Sequence, residues 1–241
     1  MELSLFFVIL GIGIIVVILS QVFSKKARIK RKLKKAELKK IANFKNGDIA
    51  KIVGYVEIIG DPLIAPLSGR ECAVYSIHVK ERVSAGKSTR WITRIEDELT
   101  TKFVIKDGEH YAYVNDKNIN CYIVDDQNYA SGFMNDPDKN LEQYLNKKGY
   151  NSKGAIGFNR TFRYREGVLE KGEEIAVFGK GEWKDAATLG LPEKYNKVLE
   201  ITSGNTEAVF LSDDTTTTKK RTIQKKARAR YNEMERRYRK E

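Results

Sequence analysis

Residues 3–23 read LSLFFVILGIGIIVVILSQVF, a run without a single charge. About 20 such residues in a helix cross the hydrocarbon core of a bilayer. A cleaved signal peptide opens on basic residues and closes on a small-x-small site. This chain opens on Glu2 and runs straight from Phe23 and Ser24 into lysines. The pattern predicts a retained single-pass transmembrane helix over 3–23, with Gly11 and Gly13 too close together for a GxxxG dimerisation face.

The charge distribution extends this reading. The net charge is +12, yet residues 25–40 alone carry +9 and residues 219–241 carry +8. Residues 41–218 carry −4, so the folded part is mildly acidic between two basic flanks. A nucleic-acid-binding domain carries its positive charge on the folded surface, so no nucleic-acid partner is expected. Lysines and arginines beside a span stay on the cytoplasmic side. The N-terminus is therefore expected outside, and the domain and C-terminus in the cytoplasm. Lys25, Lys26, Arg28, Lys30, Arg31, Lys32, Lys34 and Lys35 are the candidate contacts with anionic lipid headgroups, or else only the topology signal. No helix breaker stands between Phe23 and Asn43, which predicts a helical stalk over the juxtamembrane segment 24–45.

From residue 46 the pattern turns to short β-type runs broken by turn residues. Strands are expected over 49–59, 72–82, 91–101, 121–124, 158–165, 174–178, 197–201 and 207–211. A tight hairpin is expected over 103–114, with Asp107-Gly108 at its turn. One clear helix follows Asp136-Pro137 and closes at Gly149. The sum is a mainly β (α+β) domain over 46–212, an antiparallel β-sandwich or partly open barrel with one clear helix, preceded by the transmembrane helix. Residues 213–241 form a basic tail, either a solvated helix or a disordered arm, that meets anionic lipid or an acidic partner or serves solubility alone.

Motifs for chemistry are sparse. Ala85-Gly86-Lys87-Ser88-Thr89 ends like a phosphate-binding loop, but Glu81 stands where the first glycine belongs, and a strand follows instead of a helix. Cys72, His78, His110 and Cys121 match no zinc spacing, so no metal is expected. The two cysteines fall in apolar runs and read as buried free thiols. Cys121 with His110 could be drawn as nucleophile and base, but no third orienting group is identifiable. Adjacent acids such as Glu96-Asp97-Glu98 point to opposite faces of a strand and cooperate poorly. No cofactor motif occurs.

Three stretches in order resemble the GIDE family, whose domain is also called the beside-a-membrane domain. They are GYVEIIGDPLIAPLSGRECAVYSIHVKER over 54–82, FVIKDGEHYAYV over 103–114 and RYREGVLEKGEEIAVFGKG over 163–181. The likeness spans most of residues 46–212 and agrees in its placement beside a membrane segment. It implies a recognition domain of the kind found in membrane-bound ubiquitin ligases, whose catalysis resides in a separate RING. A RING needs eight Cys/His ligands, and this chain has two Cys and two His. Ligase activity therefore does not carry over, and the single expected span departs from family members with two.

The expected function is a membrane-tethered recognition or scaffold module that binds a protein or ligand near the membrane surface without catalysis of its own. Pro66, Ser68, Gly69 and Arg70 are the candidate partner-binding residues, in a loop that could equally just turn the chain. The alternatives are a membrane-surface organiser acting through the basic flanks and an uncharacterised hydrolase or transferase.

Overall fold

The computed structural model describes residues 24–131, 139–151, 160–204 and 207–219. The segment read as a transmembrane helix lies outside these residues, as does most of the basic tail. Among the described residues no helix is long and apolar enough to cross a membrane.

The chain is mainly β. Helix α1 (Lys25–Lys35) is followed by β1 (Ile49–Ile58), the short pair β2 (Leu63–Ile64) and β3 (Glu71–Cys72), and the long strands β4 (Val74–Ala85) and β5 (Ser88–Thr100). Next come β6 (Phe103–Asp107), β7 (His110–Val114), β8 (Ile119–Tyr122), β9 (Gln127–Ser131) and helix α2 (Lys139–Lys147). The chain ends in β10 (Phe162–Leu169), β11 (Glu174–Asp185), β12 (Lys197–Thr202), β13 (Val209–Ser212) and the one-turn helix α3 (Thr215–Thr218).

Seven strands form one sheet in the order β1-β6-β7-β12-β11-β13-β8, and β1 also pairs with β11. That extra pairing closes β1, β6, β7, β12 and β11 into a barrel-like ring. The sandwich alternative is thereby set aside in favour of the partly closed barrel. The ring is not wholly antiparallel, because β12 runs parallel to β7, as β13 does to β8. Its connectivity is that of a five-stranded Greek-key barrel of OB type. Close packing inside the ring explains two glycines. A Cβ on Gly54 would strike the Lys106 carbonyl, and one on Gly179 would lie 2.5 Å from Ile201 Cγ2 and 2.8 Å from the Thr202 carbonyl. The interior is filled by Ile52, Val56, Phe103, Ile105, Val177, Leu199, Ile201 and their neighbours.

Two excursions from the ring build a second sheet, β5-β4-β10-β9, all antiparallel. Alternation on β4 sends Tyr75, Ile77 and Val79 into a core with Leu141, Tyr144 and Leu145 of α2. Ser76, His78 and Lys80 point the other way. The wet face and dry face expected for this strand are therefore present, although the hairpin it forms with β5 is longer than the sequence pattern indicated.

The expected stalk is corrected. Helix α1 begins at an N-cap, Ser24, whose Oγ accepts from the Ala27 N–H at 3.2 Å, and it ends at Lys35. Beyond it the chain is extended and zips onto β1 through Lys39 N–H to Lys51 O and Lys51 N–H to Glu37 O, both 2.8 Å. Ile29 and Leu33, four residues apart on one helix face, are fully buried against Ala176, Phe178 and Phe210. Two such side chains contribute roughly 3–6 kcal/mol of burial. Absence of a helix breaker permits a long helix, but the apolar pair on a basic segment pulls this one onto the barrel wall. The domain thus has a second packed helix besides the one expected.

Candidate functional site

The basic residues of α1 meet the protein itself. Lys25 lies 3.8 Å from Glu98, Lys30 2.7 Å from Asp214, and Lys32 pairs with Glu207. Arg28 donates to Asn120 at 2.6 Å, and Lys26 sits 4.6 Å over the Tyr122 ring. Arg31 turns back to the Ala27 carbonyl at 3.3 Å. Lys34 and Lys35 have no such partner among the described residues. The helix is therefore fastened to the domain along most of its length by its own lysines, as well as by Ile29 and Leu33.

The loop holding Pro66, Ser68, Gly69 and Arg70 is tied down from within. Glu166 of β10, 1% exposed, accepts from the Leu67 and Ser68 N–H groups at 2.9 Å each. Asn140 of α2 donates to the Leu67 carbonyl, also at 2.9 Å. Arg70 spans Asp126 at 2.5 Å and Glu170 at 3.3 Å. Pro66 borders a small hollow beside α2, and only Gly69 is exposed. The Leu67 and Ser68 N–H groups, the Leu67 carbonyl and the Arg70 guanidinium of this loop are thus engaged in holding the turn.

Two adjoining depressions lie elsewhere, on the wet side of the four-stranded sheet. The first is a cleft of about 510 Å³. Its walls are Ser24–Lys26 at the start of α1, His78 and Ser76 of β4, Glu96 and Glu98 of β5, Tyr122, Asp125 and Arg165. Charges alternate across it, with Arg165 2.9 Å from Asp125 and Lys25 near Glu98. The second, about 500 Å³, shares His78 and Arg165 and continues along the sheet over Lys80, Trp91, Ala130 and Arg163. There the Arg163 guanidinium stacks 4.3 Å over Trp91. Sequence reasoning missed this second depression because residues 80, 91 and 163 are brought together only by β-pairing. Its one legible trace is the wet face of β4.

The first cleft contains one arrangement of chemical interest. Ser76 Oγ lies 3.4 Å from His78 Nε2, and His78 Nδ1 lies 3.9 Å from Glu96 Oε1. This is the order of a serine-hydrolase relay, though both distances exceed a working hydrogen bond. The strand N–H groups beside Ser76 are spent in the β4 ladders, so no backbone pair is free to hold an oxyanion.

The cysteines are silent by comparison. Cys121 is 4% exposed in the barrel core, and burial pushes its thiol well above the ordinary range. Cys72 belongs to the other core, where burial first and Glu166 second push it up to about 11. A thiolate nucleophile needs the opposite environment. His78 and Cys121 both border the first cleft, whereas His110 packs edge-on against Trp183 and Cys72 lies in the other core, so the four Cys and His residues do not gather at one site. Among the described residues no three His, Cys, Asp or Glu side chains are placed to share a metal ion.

One carboxylate stands out nearby. Burial pushes Asp213 up to about 7, aided by Glu173 and Asp126, against a 2.9 Å hydrogen bond from the Val124 N–H. Asp97 behaves differently. Burial acts to raise it, but hydrogen bonds from Lys148 and Tyr144 outweigh that and hold it below the usual range.

Comparison with protein-family models, with curated proteins and with solved structures finds no match.

Proposed function

We propose that this chain is a membrane-tethered recognition module, binding a protein or ligand close to a bilayer in the cleft between α1 and the four-stranded sheet. The observation that carries the reading is the docking of α1. Residues 3–23 have the composition of an anchor, and the helix that follows them is fixed to the domain through Ile29, Leu33 and five basic side chains. A domain joined in this way keeps one face at a set distance and angle from the membrane. Ser24–Lys26 supply one wall of the cleft, so the cleft opens where the anchor joins.

The likeness to the GIDE family supports the same reading. Its first and third stretches lock together here, Glu166 holding the Leu67 and Ser68 N–H groups and Arg70 reaching Glu170. Ubiquitin-ligase chemistry is not part of the proposal.

The test is partner capture from native membranes, by cross-linking and mass spectrometry of the full chain. A H78A/E96K variant alters the cleft, and S68A/R70A alters the loop. The expected result is loss of specific partners with the cleft variant while the loop variant keeps them. An unchanged set with both variants would sink the recognition reading and favour an organiser acting through basic flanks.

The Ser76–His78–Glu96 order supports a second reading, a hydrolase. Covalent labelling by a fluorophosphonate probe that disappears in S76A would establish it. Absence of labelling in the membrane-embedded protein would dismiss it.

A further inference from the structure

We infer that the wet face of the four-stranded sheet, from the second depression to the tip of the β4–β5 hairpin, rests on an anionic bilayer surface; this depends on residues 3–23 being an anchor. Lys80 and Arg82 on β4 and Arg163 on β10 project from this face, and Lys87 carries the positive charge on to the hairpin turn, whereas Arg90 pairs with Val83 and takes the opposite face. All but Lys80 are exposed, and Lys80 is half-buried. Among the described residues the Arg82 guanidinium meets the Thr89 hydroxyl, at 3.1 Å, and that of Arg163 the Trp91 ring, and neither meets an acid. Among the described residues none of Lys80, Arg82, Lys87 and Arg163 forms an ion pair with a carboxylate. This contrasts with α1, where Lys25, Lys30 and Lys32 are matched to acids.

The acids at the near end of the face do not cancel this charge. Glu98 lies beside Lys25, Asp125 beside Arg165 and Glu96 beside His78. Two further acids of β4 and β5, Glu81 and Asp97, lie on the dry side, where Arg94 and Arg160 hold the one and Lys148 the other. The net surplus therefore sits from Lys80 outward.

Three features select a bilayer as the occupant. Unpaired lysines and arginines complement anionic headgroups. Trp91, half-buried on the same face, is the residue type that settles at a headgroup boundary. The described chain begins at Ser24, which lines the cleft that shares His78 and Arg165 with this depression, so the uncharged 3–23 segment joins the protein at the edge of the face. The lipid contact is thereby moved from the helix that the sequence nominated to a sheet that it did not.

The experiment uses the full chain carrying S88C. Ser88 is exposed at the hairpin, and both native cysteines are buried, so a fluorophore can be placed at this one site. The labelled protein is reconstituted into vesicles of phosphatidylcholine alone or with phosphatidylserine, each containing a lipid with a quencher on its headgroup. Flotation with the vesicles after carbonate washing reads the anchor separately. Strong quenching on anionic vesicles is expected, with little on neutral ones. Reversal in K80E/R82E/R163E should cut the membrane-apposed fraction by more than about tenfold, given the effect of each basic residue near such a surface. K87E, at the hairpin turn, should cut it in the same direction. Circular dichroism confirms that each variant is folded. Equal quenching on both vesicle types, or no effect of either variant, would overturn the proposal while flotation still upheld the anchor. Failure to float would remove the anchor reading first, and this proposal with it. Binding of a single-stranded oligonucleotide without any lipid response would overturn it in favour of a nucleic-acid surface.

Discussion

Glu166 is the residue on which the local architecture turns. It is a carboxylate with 1% exposure, and it accepts two backbone N–H groups from a loop about a hundred positions earlier in the chain. Removing one partner of a buried, charge-assisted hydrogen bond leaves donors stranded and costs roughly 1.5–3 kcal/mol per bond. E166A should therefore lower stability by about 3 kcal/mol or more, read as a fall in the urea midpoint. Asp213 makes the opposite kind of statement. Its folded value of about 7 stands above the ordinary 3.8, so the folded state holds a proton that the unfolded state releases. The stability it supports is full below about pH 4 and is lost as pH rises through 7. Asp97, Asp116 and Asp214 are depressed, each because hydrogen bonds outweigh burial, and their contribution is lost instead as pH falls below about 4. D213N should flatten the decline between pH 5 and 8, by an amount on the order of 2 kcal/mol, in urea titrations at the two pH values.

Among the elements, α1 departs furthest from expectation. A segment with ten basic residues in sixteen reads as a solvated stalk, and its two buried positions are easily overlooked. Yet Ile29 and Leu33 fall four apart, and the acids that receive Lys30 and Lys32 come from near β13. L33A should cost about 2–4 kcal/mol through the cavity it leaves against Phe178 and Phe210. The same substitution should raise hydrogen exchange in α1 more than in the ring strands, which separates release of the helix from global loosening. By contrast the hairpin of β6 and β7 was legible almost to the residue, because Asp107-Gly108 supplies the backbone conformation its turn demands, with Gly108 at φ +62.

At the scale of the whole molecule, two large cores and two smaller clusters share one chain. The barrel core and the sheet–helix core meet where β4 and β10 enter the ring, with Ala73, Val74 and Leu169 assigned to the barrel side. β11 has β1 along one edge and β12 and β13 along the other, whereas β5 and β9 are edge strands. Local opening is easiest where the ladder is single-sided. Native-state hydrogen exchange should accordingly rank β11 and β1 slowest and the outer part of β5 fastest. Comparable rates in β5 and β11 would mean that the two layers open together.

The sequence by itself determined the β-rich character, most strand positions, the acidic domain between basic flanks, and the anchor-like composition of residues 3–23. These are local properties, written in period-two alternation, turn chemistry and runs of one charge sign. It could not decide the closure of β1 onto β11, the parallel entries of β12 and β13, or the fate of the α1 lysines. Nor could it see the Lys80–Trp91–Arg163 surface. Each of those depends on which residues far apart in the chain become neighbours. Tertiary packing settles that by matching buried apolar faces and pairing buried charges, and neither leaves a fixed spacing in the sequence.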